Sequence, residues 1–386
     1  MAYSNIIYSS KILKKEFGNI LLNCCLIKCI KMIIKKVLLF LLKAIAVLIL
    51  VFAGFILYIT ITDYRPDEVE ILEIEGPEAA VKPLVADTFS LLCWNIGYAG
   101  LGAEMDFFYD NGKQVRPSKK MSRKYLNNIE QFIAEQDSIN FFLLQEVDRK
   151  ARRSHHANEV DEIMDIMKND HSVFAKNYHC QFVPIPLYGP LGYVKGGMLS
   201  ISEFPIQEAT RYAYPLIASW PNKLFLLDRC FILSRFPLEN GKDLVILNTH
   251  NSAYVVNKSL RVKELQIIKD KMIEEYKKGN YVIAGGDWNA NPPSFKPENG
   301  FNGHKFFAST VQMDNNTMPD GWKWAYDATA PTNRQNYKPF VKGENPTTVL
   351  DYFLVSPNID VLNTKTIDLN FKDSDHNPCF IKVRLK

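Results

Sequence analysis

The chain has 386 residues, enough for one large domain or two ordinary ones. Its 47% hydrophobic and 23% charged residues exclude a disordered or collagen-like chain. The formal charge of +4 is uneven: residues 1–64 hold eight Lys/Arg and two acids, the remainder carries a net of −2, and the body so lacks the basic footprint of a dedicated nucleic-acid binder.

The first predicted element is a membrane span. Residues 44–61, AIAVLILVFAGFILYITI, carry no charge, and Val37 to Leu42 extend the run with Lys43 as the interruption. Eighteen or more apolar residues can cross a hydrocarbon core, so residues 37–61 are expected to form one transmembrane helix in contact with the lipid bilayer. A lysine at mid-bilayer costs roughly 2.5–3.5 kcal/mol. Lys43 is therefore expected near one end, its stem snorkelling outward. Lys28, Lys31, Lys35 and Lys36 precede the span; Asp63, Asp67, Glu68 and Glu70 follow it. The positive-inside rule places residues 1–36 in the cytoplasm and the body across the membrane. A cleaved signal peptide is the alternative, but its apolar core usually spans only about 7–15 residues. Met32 is an alternative start, because a methionine, two lysines and an apolar run form an export segment by themselves.

Residues 62–88, acidic and containing Pro66, Pro77 and Pro83, show no lasting periodicity and are expected to be a linker. From Phe89 onward, apolar runs of strand length fall at 89–96, 139–147, 196–202, 226–234, 244–250, 281–287, 349–356 and 378–385. Helical patterns fall at 119–136, 158–169 and 258–276. Strand–Asn95, helix, strand–Glu146 echoes strand–His250, helix, strand–Asp287. The echo predicts two similar α/β halves: two packed β-sheets flanked by helices, a four-layer α/β sandwich. No Pro- or Gly-rich break divides residues 89–386, so one domain is expected. Cys93, Cys180, Cys230 and Cys379 read as buried free thiols, with a disulfide among them left open.

Five motifs end these apolar runs: Trp94-Asn95, Gln145-Glu146, Asn248-Thr249-His250, Gly286-Asp287-Trp288-Asn289 and Ser374-Asp375-His376. Carboxylates gathered without a cation raise one another's pKa and oppose folding. A divalent ion resolves the conflict, and all-oxygen donors favour magnesium, manganese or calcium over zinc. Asp351, an acid inside the apolar run LDYFLV, needs a partner, and His376 is the candidate. Singly, each residue has an ordinary reading: Glu146 as a turn residue, Asp287 and Asn289 as a self-bonded turn, His250 as a structural histidine. Their joint order along the chain carries the functional reading.

That order resembles the endonuclease/exonuclease/phosphatase superfamily of metal-dependent phosphoesterases, from about Phe89 to Lys386. The resemblance implies that Asn95, Glu146 and Asp375 hold the metal. It implies that Asp287 and Asn289 orient nucleophile and phosphate. It further implies that His376 is a general base held by Asp351, and that His250 binds phosphate and supports the leaving oxygen. A histidine at position 250 is similar to pancreatic-type deoxyribonucleases, sphingomyelinases and inositol polyphosphate 5-phosphatases. Residues 324–329 (WAYDAT) and 196–202 (GGMLSIS) look like stretches of sphingomyelinase-like members, although two residues separate Trp324 from Asp327. The expected activity is hydrolysis of a phosphodiester or phosphomonoester, including a lipid headgroup. An extracytoplasmic nuclease and a non-catalytic binding protein on the same fold are the alternatives. Two clusters add weaker expectations. Arg149, Lys150, Arg152, Arg153, His155 and His156 follow Glu146 and could grip a phosphate or be solvated. Tyr212, Tyr214 and Trp220 could touch lipid or simply pack.

Overall fold

The computed structural model describes residues 2–253, 258–296, 301 and 311–386. The chain divides into two compact units, Met1–Ile61 and Thr62–Lys386. The first is one helix, α1 (Ala2–Ile61), of which Leu22–Ile61 is long and apolar enough to cross a membrane. The expected basic segment 1–36 is therefore not a separate element but runs into the same helix.

The second unit opens with β1 (Val69–Ile71), β2 (Ile74–Glu75) and β3 (Thr88–Asn95), followed by α2 (Lys119–Ala134) and β4 (Phe141–Asp148). Next come α3 (Glu159–Ile166), β5 (His171–Val183), β6 (Gly192–Ser202), β7 (Glu208–Ala213), β8 (Cys230–Pro237) and β9 (Asp243–His250). After α4 (Lys258–Lys277) lie β10 (Tyr281–Asp287), β11 (Ala290–Asn291), β12 (Val311–Gln312), β13 (Lys323–Ala325), β14 (Asn333–Arg334) and β15 (Thr347–Thr348). The chain closes with β16 (Asp351–Val355), β17 (Ile359–Thr366) and β18 (Cys379–Leu385).

Two seven-stranded sheets result, ordered β1-β7-β8-β9-β10-β16-β13 and β17-β18-β3-β4-β6-β5-β2. Each contains one parallel pair, β9 with β10 and β3 with β4. A parallel pair needs a crossover, and α4 and α2 supply them. Strand alternation then sorts the core. Leu91, Cys93, Phe141 and Leu143 meet Ile232, Ile246, Ile283 and Phe353 between the sheets. Leu92, Trp94 and Leu144 face Tyr125, Ile129 and Ile133 of α2, which Ser118 caps by accepting from the Met121 N–H. Val245, Leu247 and Val282 face Ile268 and Met272 of α4. The central strands are apolar on both faces because both faces are covered. The four cysteines of the body are buried and free.

The expected linker is corrected. Val69–Ile71 pairs with Thr210–Tyr212, Ile74–Glu75 with Ser172–Val173, and Leu84 bridges to Leu238. Edge strands are held by backbone hydrogen bonds and leave most side chains in water, so no apolar period marks them. β17, the opposite edge strand of that sheet, was likewise not expected; nor was β5, which lies between β6 and β2 and is largely buried. The strand expected at 226–234 starts only at Cys230, after a 3-10 turn at Asn222–Phe225.

A buried ionic cluster ties α4 to the first sheet. Glu275 accepts from Arg235 at 3.0 Å, Lys278 at 2.8 Å and Asn280 at 2.8 Å. Burial disfavours the carboxylate, but these donors outweigh it and lower the Glu275 pKa from 4.5 to about 2. A depressed folded-state pKa gives stability that is present above 4.5 and lost as pH falls toward about 2. Glu275→Gln is thus expected to cost about 2 kcal/mol near neutral pH. In thermal melts of the full chain, the gap between wild type and variant should narrow steadily as pH drops through that window.

Candidate active site

Strand register assembles the site. Asp287 lies beside His250 across the parallel pair β9–β10 and beside Asp351 across the antiparallel pair β10–β16. Asn95 lies beside Gln145 across β3–β4. Glu146 falls in a β-bulge between Gln145 and Val147 and takes a left-handed φ of 53°, which turns its carboxylate to the sheet edge. His376 is brought in by an isolated bridge to Asn333. Gly286, at φ +143°, lets β10 approach β9 closely: a Cβ there would sit 2.1 Å from the Thr249 carbonyl oxygen.

Hydrogen bonds stitch this edge, one between the two sheets and two that hold the segment before β18 against β3. Gln145 donates to Asn248 Oδ1 at 2.7 Å, Ser374 Oγ to the Asn95 carbonyl at 2.7 Å, and Trp94 Nε1 to the His376 carbonyl at 2.9 Å. His376 Nδ1 lies 2.7 Å from Asp351 Oδ2. A carboxylate only accepts, so Nδ1 carries the proton. His376 Nε2 is then 3.9 Å and His250 Nε2 3.4 Å from Asp287 Oδ2, with Glu146 Oε1 3.9 Å from His250. Asn95 Nδ2 donates to Glu146 at 3.2 Å and to Asp287 at 3.1 Å. The Asn289 N–H donates to Asp287 Oδ1 at 2.9 Å, and its side chain donates to Asp287 Oδ2 at 3.2 Å and to the Asn251 carbonyl. The ordinary turn reading of Asp287–Asn289 therefore holds together with its place in the site. Asp375 accepts from Asn336 at 2.6 Å, and a Cβ on Gly97 would lie 3.1 Å from its Oδ1.

The structure thus brings all eight expected residues to one edge. Three further residues there were not expected. Asn333 Nδ2 lies 2.9 Å from His376 Nε2, Asn336 holds Asp375, and Arg229 carries a buried Nη1 with no hydrogen-bond partner. Asn333 sits in the two-residue strand β14 and Asn336 in irregular chain, and no periodicity flags either. Two weaker expectations change. Arg153 is buried against Asp148 at 2.9 Å and stacks over Tyr98, while Arg149 pairs with Glu75, so neither is free to grip phosphate. Tyr214 is buried on Thr249 and Tyr212 stacks on Phe231, which leaves Trp220 as the exposed aromatic of that trio. Asp327 of WAYDAT accepts from Thr329 and from the Thr366 N–H, as a turn residue.

Burial and then Asp351 raise the Asp287 pKa to about 6; burial, with Glu146 adding to it, also raises Asp375 to about 6. Burial, with the positive charge of Arg229, holds His250 neutral, well below the usual histidine range. Burial opposes a charged His376, but Asp351 and Asp287 outweigh it and raise the pKa to about 10.

Among the described residues, no Lys or Arg lies within ion-pair distance of Glu146, Asp287, Asp351 or Asp375. Four such carboxylates fit a hard divalent cation. Ligand atoms of Asp287, Asp351 and His376 come within 4.8 Å of one another. Within that trio Asp351 is already engaged by His376. Asn95 turns its amide nitrogen toward the carboxylates and spends its oxygen on the Gly97 N–H. In this arrangement it orients carboxylates, and ligation through its oxygen needs the amide to turn.

The Endonuclease/Exonuclease/phosphatase family's sequence profile matches residues 92–376. The chain belongs to that family. Solved structures with the same fold include a family member from Bacteroides vulgatus, at 15% identity and TM-score 0.50, covering 78% of this chain and 99% of that one. A member from Leptotrichia buccalis matches at 14% identity and TM-score 0.50, covering 77% and 100%. ANGEL2, a 2',3'-cyclic phosphatase, matches at 12 to 13% identity and TM-score 0.52, covering 81 to 82% of this chain across two structures and 98% of its own. Among curated protein sequences none matches.

The close approach at Gly286 predicts that Gly286→Ala destabilises the body by at least about 3 kcal/mol, through backbone clash and a strained φ. A melting temperature equal to wild type would contradict the register-based account of the site.

Proposed function

We propose that the body is a hydrolase of phosphoric esters that works with a divalent cation, and that α1 anchors it in a membrane with the body extracytoplasmic. The observation that carries the reading is the buried Asp351–His376 pair facing Asp287 and a second, neutral imidazole at His250. Phosphate-ester hydrolysis needs a proton acceptor for water and stabilisation of the leaving oxygen on the opposite side of phosphorus.

Glu146 and Asp375 would hold the cation, with Asn95 orienting them. Magnesium, or manganese or calcium, supplies Lewis-acid neutralisation of phosphoryl charge when bound. Asp287 and Asn289 orient water and phosphate. Two observations pull opposite ways on the His376 proton. The field of Asp351 and Asp287 favours the imidazolium, whereas an Asn333 amide donor 2.9 Å from Nε2 needs a lone pair there. A cation held by the carboxylates would offset that field and leave Nε2 its lone pair. His376 would accept the proton of water once Asn333 gives up Nε2, and His250 with Asn289 would stabilise the leaving side. Two features support a lipid headgroup or another small phosphoester as substrate: the tether and a body of net charge −2. The fold shared with a 2',3'-cyclic phosphatase supports phosphoester chemistry.

The full chain in detergent with magnesium is to be assayed on sphingomyelin, phosphoinositides, bis(4-nitrophenyl) phosphate and DNA. His250→Ala and His376→Ala are each expected to lower turnover about 10²–10⁴-fold with melting unchanged. A good leaving group should rescue His250→Ala more than His376→Ala; the opposite order would exchange the two roles. Chelation is expected to abolish hydrolysis reversibly, and undiminished turnover in excess chelator would sink the cation assignment.

A further inference from the structure

The tether between helix and body is short. Seven residues, 62–68, separate Ile61 from β1, a span of at most about 25 Å when extended. Part of it is already fastened to the body: Lys176 Nζ lies 4.1 Å from the Tyr64 ring, Arg211 donates to the Asp67 carbonyl, and the Ala213 N–H donates to the Glu68 carbonyl. The tether therefore holds one particular end of the body.

Register identifies that end. Ala213 pairs with Cys230 and Phe231 with Thr249, so the loop 214–229 emerges beside His250. Asp148 pairs with Gly196, and the β5–β6 hairpin runs on past Glu146 to the loop 184–191. The two loops adjoin. Tyr178 donates to the Phe225 carbonyl at 3.1 Å, Cys180 to the Leu224 carbonyl at 3.3 Å, and Phe225 and Leu227 pack against the apolar cluster that includes Val183 and Leu191.

These loops expose large apolar side chains: Leu187 is 88%, Tyr188 71% and Trp220 57% exposed, with Leu216, Ile217 and Leu226 beside Trp220 in sequence and also exposed. Single exposed apolar residues are ordinary. Six of them lie on two joined loops at the tethered end, and apolar side chains gathered at one end of a body mark an interaction surface. Tyrosine and tryptophan with leucine are the side chains that favour a lipid–water interface.

The geometry points to a lipid-docking surface formed by residues 185–188 and 216–226. The body rests there on the bilayer that holds α1, and the His250–Glu146 edge opens toward that leaflet. This inference rests on the membrane reading of α1 proposed above, and it deepens that reading: the substrate phosphate is presented from the lipid surface, at the level of its headgroups.

The full chain is to be reconstituted into phosphatidylcholine vesicles with and without brominated phosphatidylcholine, which quenches tryptophan in the bilayer. Wild type is expected to lose more fluorescence than Trp220→Phe. Leu187→Glu with Tyr188→Glu is expected to abolish the difference by lifting the surface. Equal quenching of wild type and Trp220→Phe, in protein that floats with the vesicles, overturns the docking surface. Protein that does not float with the vesicles overturns the membrane reading and this inference together. Hydrolysis of soluble bis(4-nitrophenyl) phosphate should be the same in all these proteins. The quenching result stands apart from activity, so failure of the hydrolase reading is distinguishable.

Discussion

Glu146, Asp287, Asp351 and Asp375 converge at one sheet edge with two imidazoles and, among the described residues, no Lys or Arg in ion-pair contact. Burial raises Asp287 and Asp375 to about 6, so their crowding works against the folded state. The surrounding structure has to overcome that repulsion. It does so with amide donors from Asn95, Asn289 and Asn336, and with the His376–Asp351 pair. The carboxylates are thereby held ready for a positive partner.

The scaffold that imposes this crowding is the stacked pair of sheets. Each sheet alone ends in a row of polar side chains of little consequence. Face-to-face packing of Leu91, Cys93 and Leu143 on Ile246, Ile283 and Phe353 fixes the separation of the two rows. Gln145–Asn248 then locks their lateral alignment, while Ser374–Asn95 and Trp94–His376 hold the segment before β18 against β3. Interiors packed this densely deform little, which is how a site made from both halves keeps its geometry.

Legibility in the sequence followed burial. Central strands such as FSLLCWNI and YVIAGGD are covered on both faces, so their apolar runs stand out. Edge strands such as Val69–Ile71 and Ile74–Glu75 depend on backbone pairing and leave no side-chain pattern, which is why their segment reads as a linker. The basic run after Glu146 shows the opposite failure. Arg149 and Arg153 look like substrate grips in one dimension, yet in three they close ion pairs with Glu75 and Asp148.

By itself the sequence determined the α/β class, the membrane-length apolar helix, the family, and the order in which polar residues end the strands. Those properties reside in local composition and spacing, which folding does not alter. Only the tertiary structure decided that Asn333 and Asn336 join the site, that Asn95 turns its nitrogen inward, and that the tether meets the body at the end bearing His250. Those facts depend on register and on contacts between residues as many as 282 positions apart, and no local pattern in the chain records them.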